Sequence, residues 1–385
     1  MKQVTVNKRG ADRIRHGHLW IYRSDLLEIE TEGGTVVPVR DDGGNFVGQA
    51  LYSSNSQIAL RFLTQSDELI NADWWRQRIC KAAARRQHIA SDTNAYRLVY
   101  SEGDLLPSLI IDRYDEVVVL QTLSQGTDAL KQTFTQILHE EFAPQAIVER
   151  NDVRVRLLEG LPLTVSNLYG NPPSEIEIIQ NGIRYVVTPS AGQKTGSFLD
   201  QRENRLAAKS VGHGRGLDCF TFNGGFALHL AEVCDSVTAV DISPEAIAQL
   251  KVNVELNRVT NIDLQEANVF DYLRELELGN ERFDTIVLDP PAFAKNRKSL
   301  KAAMRGYKEI NLRALKLLNP NGVLITCTCS YHMSEELFLD ILATASIDAH
   351  RRIQLIEKRM QSSDHPVLVG VPETYYLKCV VCRVL

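Results

Sequence analysis

Polar side chains follow four predicted strands in the second half of this 385-residue chain, at the point where each strand ends. The first strand leads into a loop over residues 218–225, and the second ends at Asp241, 23 residues beyond the start of that loop. An acid at this spacing can hold the hydroxyl groups of a ribose ring. Asn268 and Asp271 follow the third strand, and Asp289 opens the segment Asp-Pro-Pro-Ala-Phe after the fourth. Such residues are also common in turns, but their repetition at four strand ends predicts one shared ligand site.

The elements that would position these residues alternate between strands and helices. Predicted strands cover 216–220, 237–240, 262–267, 283–288 and 322–328, and predicted helices cover 225–233, 244–257 and 305–318. This alternation is typical of a doubly wound, mostly parallel sheet. The carboxyl ends of its strands meet at one edge, where ligands bind. The last stretch, Thr374–Val384, predicts a final β-hairpin.

The first half of the chain has a different pattern, with short β-segments and turns followed by a helix from Asp73 to about Ile89. A second β-rich region comes next, and Asn181-Gly182 between two alternating segments is a strong hairpin signal. We therefore predict a mixed α/β protein of three domains. These are a small β-barrel at 1–72, a linker helix with an α+β middle domain at 73–188, and the doubly wound domain at 189–385.

The overall composition indicates an ordinary globular protein. Hydrophobic residues make up 44% and charged residues 24% of the chain, and no stretch reaches the roughly 18 apolar residues of a membrane span. The seven cysteines do not suggest a disulfide framework, which favours reduced thiols in a cytoplasmic protein. Cys379 and Cys382 have CxxC spacing, but residues three apart in a strand point to opposite faces. We therefore predict no metal site.

Positive charge is clustered although the net charge is −5. Residues 295–316 carry eight Lys and Arg against Glu309 alone, and residues 1–23 carry six against Asp12 alone. Basic clusters in an acidic protein fit a polyanion such as RNA that is bound over a limited surface. Solvated helix faces give the same pattern, so charge alone leaves both interpretations open.

Several longer motifs resemble known proteins. They are Arg15–Tyr22 (RHGHLWIY), Ser101–Pro107 (SEGDLLP), Lys194–Arg202 (KTGSFLDQR), Phe222–Phe226 (FNGGF), Asp289–Phe293 (DPPAF), Arg305–Lys308 (RGYK) and Thr328–Ser330 (TCS). Residues 216–332 resemble the Rossmann-like core of class I S-adenosylmethionine-dependent methyltransferases. The whole chain resembles the ribosomal RNA large-subunit cytosine-C5 methyltransferases, which carry an N-terminal PUA domain.

The resemblance implies a binding site for S-adenosylmethionine. The loop 218–225 would wrap the methionine end, Asp241 would bind the ribose hydroxyls, and Asn268 would face the adenine amino group. The family usually has Asp at this last position, but an amide oxygen can accept the same bond. Residues 194–202 would form a lid, with a basic connector loop as the alternative. The cofactor contacts implied in this way are Lys194, Phe198, Asp200, Arg202, Asp218, Phe220, Phe222, Asn223, Gly224, Asp241, Ile242, Asn268, Val269 and Asp289.

Cys329 determines the chemistry that the resemblance implies. Carbon 5 of cytosine is a poor nucleophile, so a thiolate must first add to carbon 6. Cys329 directly follows a predicted strand at the ligand edge, whereas Cys327 lies within that strand and is interpreted as a packing residue. An inert buried thiol is the alternative for Cys329 as well. Asp289 would hydrogen-bond to the N3 and amino edge of the base. The group that removes the carbon-5 proton is not assigned.

The sequence therefore predicts a cytoplasmic enzyme that uses S-adenosylmethionine to form 5-methylcytosine in 23S (large-subunit) ribosomal RNA, through a covalent adduct between Cys329 and carbon 6. The resemblance also allows a homodimer, because the family often forms one, but nothing in the sequence specifies a dimer face. The predicted RNA contacts are Pro290, Phe293, Arg305, Tyr307 and Lys308. Two alternatives stay open. One is an RNA methyltransferase acting on a guanine or exocyclic nitrogen, which needs no cysteine. The other is a non-catalytic ribosome-assembly protein that binds RNA.

Overall fold

The computed structural model describes residues 3–190, 195–294 and 296–385. The chain forms two compact units. The first contains residues 1–179, 187–199 and 364–374, and the second contains residues 180–186, 200–363 and 375–385. The domain boundaries predicted after residues 72 and 188 stay a prediction. Within the described residues, no helix is both long and apolar enough to cross a membrane.

The first unit begins with a six-stranded sheet in the order β2-β6-β5-β4-β1-β3. Its elements are β1 (Val4–Val6), α1 (Lys8–Arg15), β2 (Trp20–Tyr22), β3 (Leu26–Ile29), β4 (Val36–Asp41), β5 (Phe46–Tyr52) and β6 (Ile58–Thr64). β1 pairs in parallel with β4, and the other pairs are antiparallel. Ile14, Val37 and Leu60 are fully buried in its core. This is the β-rich module that the short segments and turns predict.

The rest of the first unit is mainly an α+β module with a five-stranded sheet in the order β11-β10-β9-β8-β7. Its elements are α2 (Ala72–Ala84), β7 (Ala95–Tyr100), β8 (Leu109–Tyr114), β9 (Val117–Thr122), α3 (Gln125–Ala129), α4 (Lys131–Phe142), β10 (Ala146–Asn151), α5 (Val155–Leu158) and β11 (Thr164–Tyr169). The helix predicted to reach Ile89 ends at Ala84. It stops there because Arg86 N donates to Ala83 O and Ile89 N donates to Arg86 O, which closes tight turns.

A two-stranded hairpin of β12 (Ile176–Gln180) and β13 (Ile183–Val187) precedes the main part of the second unit along the chain. The elements that follow are α6 (Arg202–Val211), β14 (Arg215–Cys219), α7 (Gly225–Ala231), β15 (Ser236–Asp241), α8 (Pro244–Leu256), β16 (Ile262–Glu266), α9 (Val269–Leu278), β17 (Phe283–Leu288), α10 (Leu300–Leu317), β18 (Leu318–Thr328), α11 (Glu335–Asp348), β19 (Ile353–Arg359) and β20 (Lys378–Val384).

The sheet of the second unit has seven strands in the order β16-β15-β14-β17-β18-β20-β19. The strands from β14 to β18 are parallel, and β20 runs antiparallel between β18 and β19. The predicted mixed α/β class with a mostly parallel sheet is thus confirmed. The final hairpin predicted over Thr374–Val384 is wrong. A short 3₁₀ turn, Pro372–Thr374, precedes the last strand, which pairs with the distant strands β18 and β19.

Helices cover both faces of this sheet and leave its carboxyl edge for the loops. Residues of α9, α10 and α11 form the core on one face, and residues of α6, α7 and α8 form the core on the other. Cys382 belongs to the first core and Cys379 to the second. The CxxC pair therefore points to opposite faces, as its spacing in a strand predicts.

Candidate active site

Asp218 organises the loop that follows β14. Its buried carboxylate accepts hydrogen bonds through Oδ2 from Thr221 Oγ1 at 2.6 Å and from Ala227 N at 2.9 Å. Asp218 Oδ1 has no hydrogen-bond partner among the residues that the structure describes. Burial raises the pKa of Asp218 to about 7, and the neighbouring charge of Asp289 contributes to the rise. An unpartnered buried acceptor fits a cationic donor such as the amino group of a methionine moiety.

The same loop has a strained backbone. Phe220 and Phe222 have φ values of 64° and 50°, and Gly224 has a φ of 86°. The carbonyl of Asn223, which lies between Phe222 and Gly224, accepts a hydrogen bond from Asn253 Nδ2 at 2.9 Å. Positive φ values at two aromatic residues are costly, and such strain concentrates at ligand sites. The loop is therefore held in one shape by its neighbours, which suits a binding loop.

Asp241 ends β15 with both carboxylate oxygens turned towards backbone donors. Oδ2 accepts from Phe222 N and Oδ1 accepts from Ser243 N, each at 3.0 Å. Each oxygen has further lone pairs that could bind a hydroxyl group. The next side chain, Ile242, is 62% exposed. A fixed carboxylate beside an exposed aliphatic side chain fits a ribose and the flat face of an adenine.

Asn268 has a structural function that the sequence analysis did not predict. It is the N-cap of α9, and its Oδ1 accepts a hydrogen bond from Phe270 N at 2.9 Å. Its side chain is exposed, whereas Val269 beside it is buried. One acceptor site of the amide is used by the cap, which leaves the second lone pair for the adenine contact implied by the resemblance.

Asp289 follows β17 and is held by Gln201. Gln201 Nε2 donates to Asp289 Oδ1 at 2.8 Å, and Gln201 Oε1 accepts from Asn204 Nδ2 at 2.6 Å. Gln201 is only 2% exposed. Gln201 belongs to the motif Lys194–Arg202, which predicts a lid but no separate role for this residue. The structure identifies this residue as the support of the Asp289 carboxylate.

The segment predicted to cover the cofactor is described only in part. Lys194 lies outside the described residues, and Phe198 is half-buried in the first unit. In the second unit, Asp200 is buried and accepts a hydrogen bond through Oδ2 from the hydroxyl of Tyr376 at 2.5 Å. Arg202 is also buried, and its Nη2 lies 3.2 Å from Glu203 Oε1. These contacts fix the end of the segment.

Cys329 lies directly after β18 and is half-buried. Its Sγ is 4.0 Å from the carbonyl oxygen of Pro290, so the thiol and the loop after β17 are neighbours. Cys327, two residues earlier, is fully buried. Burial raises the pKa of the Cys327 thiol well above its ordinary value. A thiolate is the reactive form of cysteine, and these differences favour Cys329 over Cys327 as a nucleophile.

Tyr307, in α10, contacts both residues that flank Cys329. It is fully buried, and its hydroxyl lies 2.8 Å from Thr328 Oγ1 and 3.0 Å from Ser330 Oγ. Ser330 Oγ also accepts a hydrogen bond from Ala294 N at 3.1 Å. Direct RNA contact at Tyr307 requires an exposed ring, and the structure has this ring in the core. The RNA contact expected at Tyr307 is therefore replaced by a supporting role.

The remaining predicted RNA residues lie on different surfaces. Phe293 is half-buried, with its ring centre 4.7 Å from that of Tyr307, and Pro290 is buried. Arg305 is exposed and lines a groove of about 320 Å³ between α10 and α11. Lys308 lines the same groove, and its Nζ lies 2.6 Å from Asp348 Oδ2.

The structure thus brings several predicted residues to the carboxyl ends of β14, β15, β17 and β18. Asp218, Asp241, Asp289 and Cys329 all lie at or directly beside these strand ends. No group of three or more His, Cys, Asp and Glu side chains in the described part of the chain could hold a metal ion. The arrangement has the acids for a nucleoside cofactor and a thiol that could act on a substrate.

Comparisons with known proteins agree with this geometry. A family described as a PUA-like domain matches residues 4–65, and a family described as a methyltransferase domain matches residues 211–364. The ribosomal RNA large subunit methyltransferase I of Yersinia pestis is 39% identical over 378 residues, which cover 96% of this chain and 96% of that protein. The protein of the same name from Yersinia pseudotuberculosis has the same identity and coverage.

Two solved structures share the fold over the full length of both chains. A protein from Streptococcus mutans that is described as a SAM-dependent methyltransferase has a TM-score of 0.85 at 22% identity. A second structure, described as a methyltransferase complexed with SAH, has a TM-score of 0.87 at 23% identity. The predicted combination of a PUA-like module with a methyltransferase domain is confirmed by the family matches.

Proposed function

Because the chain belongs to the family of ribosomal RNA large subunit methyltransferase I, we propose that it transfers a methyl group from S-adenosylmethionine to carbon 5 of a cytosine in large-subunit ribosomal RNA. The observation that carries this proposal is the position of Cys329. Its half-buried thiol follows β18 and lies 4.0 Å from the carbonyl of Pro290, next to Asp289. Methylation at carbon 5 needs such a nucleophile, whereas methylation at nitrogen does not.

The reaction at Cys329 proceeds through an adduct with the RNA base. The thiolate adds to carbon 6 of cytosine and makes carbon 5 electron-rich. S-Adenosylmethionine supplies the electrophilic methyl group that carbon 5 takes up. The carbon-5 proton then leaves to a base, and the electron pair of that C–H bond expels the thiolate from carbon 6. Cys329 thus ends in the form in which it began.

Asp289 stabilises the charge that develops when the thiolate adds. A protonated carboxyl group beside Cys329 can donate a hydrogen bond to N3 of cytosine, where negative charge accumulates, and accept one from the amino group. The hydrogen bond from Gln201 Nε2, at 2.8 Å, fixes the orientation of this carboxyl. Gln201 therefore acts as a positioning residue, because it acts through Asp289.

The cofactor residues follow from the donors and acceptors at the strand ends. Asp218 Oδ1 receives the amino group of S-adenosylmethionine, Asp241 binds its ribose hydroxyls, and Ile242 packs against its adenine. Within the first loop, Phe220, Phe222, Asn223 and Gly224 provide the backbone that surrounds the methionine end. Asn268 and Val269 meet the adenine edge. We assign the lid to Lys194, Phe198, Asp200 and Arg202.

The RNA is bound through the basic face of α10 together with the PUA-like module. Lys301, Arg305 and Lys308 line one groove with Met304 and Ile341. Phosphate groups favour such cations, and unstacked bases favour apolar floors. The target base must leave its stack to reach Cys329, which costs least in a loop or an opened helix. The half-buried Phe293 supports it there, and the buried Pro290 fixes the loop after β17.

The test is tritiated-methyl transfer from S-adenosylmethionine to ribosomal RNA, followed by nucleoside analysis. Wild type, Cys329→Ala and Cys80→Ala are compared, because Cys80 is also half-buried but lies in α2. We expect label in 5-methylcytidine for wild type and Cys80→Ala only. Label in another nucleoside that persists in Cys329→Ala would contradict the proposal and favour nitrogen methylation. No label with any ribosomal RNA would favour the non-catalytic RNA-binding alternative.

The homodimer and the cytoplasmic location belong to the proposal as well. Both come from the resemblance and the composition. Sedimentation equilibrium of the purified chain tests the first, since a dimer has twice the mass of 43.2 kDa calculated for one chain. Cell fractionation tests the second.

A further inference from the structure

Lys378 is a buried cation for which the proposed reaction has so far given no role. It is the first residue of β20 and is only 3% exposed. Its Nζ donates a long hydrogen bond, 3.3 Å, to Tyr376 O and lies 4.8 Å from the centre of the Tyr375 ring. Within the described residues, no carboxylate oxygen lies within 4.0 Å of this ammonium group. A buried charge with so little compensation requires an explanation.

The strand pairing brings Lys378 next to the candidate nucleophile. Lys378 is the partner of Thr328 in the antiparallel ladder of β18 and β20. Cys329 is the residue after Thr328, at the end of the ladder. Burial lowers the pKa of Lys378, while the negative charges of Glu335 and Cys329 act in the opposite direction. The strand register thus places Lys378 across from the residue before the thiol, at the end of the same pair of strands.

The carboxylate of Glu335 is already used by other groups. Its Oε1 lies 2.6 Å from Lys358 Nζ, and its Oε2 accepts a hydrogen bond from the hydroxyl of Tyr375 at 3.0 Å. Both oxygens of Glu335 thus have partners before Lys378 is considered. The charge that compensates Lys378 best is then a thiolate at Cys329.

Resting on the proposed role of Cys329 as the nucleophile, we propose that Lys378 is a positioning residue that stabilises the thiolate form of Cys329. The thiol loses its proton to solvent water, and Lys378 keeps its own three protons. The resulting ammonium–thiolate pair raises the fraction of Cys329 that can add to carbon 6 at neutral pH.

The charged and titratable groups around the thiol come from several elements. Asp289 follows β17, Glu335 begins α11 and Lys378 begins β20. The hydroxyl of Tyr307 belongs to α10, and burial raises its pKa, so it stays protonated at neutral pH. The carboxylates oppose a thiolate, and the tyrosine is uncharged. Lys378 is the cation in this set.

The test measures alkylation of Cys329 by iodoacetamide in the full chain without RNA or cofactor. A Cys80→Ser background removes the other half-buried thiol, and fragment-ion mass spectrometry separates Cys329 from Cys327. Rates are measured between about pH 6 and pH 9 for wild type, Lys378→Met, Lys378→Arg and Lys358→Met. Methionine matches the stem of lysine, and an apolar replacement of a buried charge is commonly tolerated.

We expect Lys378→Met to react about tenfold more slowly near pH 7, with the rate profile displaced to higher pH. Lys378→Arg restores most of the rate, because it restores the charge. Lys358→Met should displace the profile far less than Lys378→Met, because it leaves the Lys378 ammonium in place although it frees Oε1 of Glu335. A merely structural role of Lys378 would not displace the pH profile or be rescued by arginine.

Two results would overturn the inference. One is a wild-type alkylation profile in Lys378→Met. The other is normal alkylation combined with loss of methyl transfer and accumulation of the RNA adduct, which would make Lys378 the acceptor of the carbon-5 proton instead. Failure of the proposed function gives a different result. In that case wild type methylates no cytosine, while the alkylation rate still depends on Lys378.

Discussion

Asp218, near the end of β14, and Asp289, directly after the neighbouring strand β17, have carboxylates with different surroundings. Asp289 receives a side-chain hydrogen bond from Gln201 at 2.8 Å. Asp218 has one oxygen with two donors and one oxygen without a partner in the described part of the chain. The Asp289 carboxylate is thus held by a side-chain donor, whereas Asp218 keeps one oxygen that a ligand could use.

Gln201→Leu should lower kcat about 10- to 100-fold, because a carboxyl that loses its orientation loses transition-state contacts. The affinity for S-adenosylmethionine should change little, since Gln201 acts through Asp289. Methyl transfer at saturating cofactor measures the first effect, and calorimetry measures the second. Gln249→Leu is the matched control, because Gln249 Nε2 binds Val186 O instead. Equal losses in both variants would contradict the role of Gln201.

Binding of S-adenosylmethionine should depend on pH through Asp218. Burial raises the pKa of this carboxyl to about 7, so it loses its negative charge as the pH falls through that value. A cationic amino group then binds less tightly, by about tenfold for each pH unit below 7. Calorimetric titrations at about pH 6 and pH 8 measure the difference, which Asp218→Asn should abolish. Asp271→Asn, at an exposed residue of α9, should retain the wild-type pH dependence.

The types of these residues could be predicted, but their partners could not. The strand pattern alone predicts that Asp218, Asp241 and Asp289 lie at one edge of the sheet. The partners of Gln201 and Lys378 lie 88 and 49 residues away, at Asp289 and Cys329. Contacts over such separations are made by tertiary packing, and a motif in one segment does not reveal them.

The loop between β14 and α7 depends on the conformation of Gly224. Its φ of 86° is unfavourable for residues with a Cβ, and a Cβ there would lie 2.2 Å from Leu250 Cδ1. Gly182 in the β12–β13 hairpin has a similar φ of 83° but no atom within 4 Å of its Cβ position. An alanine at position 182 would therefore add backbone strain alone, whereas an alanine at position 224 would add strain and a steric conflict.

Gly224→Ala should lower the free energy of unfolding by about 2–4 kcal/mol, from strain and overpacking together. Gly182→Ala should lower it by about 1 kcal/mol, from strain alone. Urea denaturation measures both values. Gly224→Ala should also weaken cofactor binding, whereas Gly182→Ala should not. Equal destabilisation by the two substitutions would contradict the steric explanation.

The limits of some elements were predicted well, whereas two helices of the second unit were missed. The strand Phe283–Leu288 has the predicted limits. The helices α9 and α11 were not predicted. Asn268 was interpreted as an adenine ligand, although an Asn followed by Asp271 three residues later is also a helix start. The apolar residues of α11 (Glu335–Asp348) do not form the single stripe of a surface helix.

The whole chain is acidic, but α10 concentrates cations on one face. Lys301, Arg305 and Lys308 lie beside the apolar side chains of Met304 and Ile341. Asp348 partly neutralises Lys308, at a distance of 2.6 Å. Lys301 and Arg305 should therefore contribute more to RNA binding than Lys308.

Lys301→Gln and Arg305→Gln should each weaken binding to ribosomal RNA and reduce the slope of log K against log salt by about one unit. Their affinity for S-adenosylmethionine should stay that of wild type. Filter binding at several salt concentrations measures the slopes. Lys251→Gln, at an exposed lysine of α8, serves as the control. An unchanged slope in both groove variants would exclude this face as the RNA contact.

At the level of the fold, the sequence predicted the modules but not the full strand order. The parallel run from β14 to β18 follows from the alternation of strands and helices. The insertion of β20 between β18 and β19 does not, because several orders satisfy the same pattern. This insertion makes Lys378 the strand partner of Thr328, the residue before Cys329.

The most direct test of the proposed chemistry is to trap the adduct between Cys329 and the RNA. In ribosomal RNA transcribed with 5-fluorocytidine, fluorine takes the place of the hydrogen on carbon 5. Because fluorine cannot leave as the proton does, the adduct cannot resolve after methyl transfer. We expect a denaturation-stable protein–RNA complex that requires S-adenosylmethionine, maps to Cys329 and is absent in Cys329→Ala. Methyl transfer to natural RNA without such a complex, or with the RNA attached to another residue, would contradict Cys329 as the nucleophile.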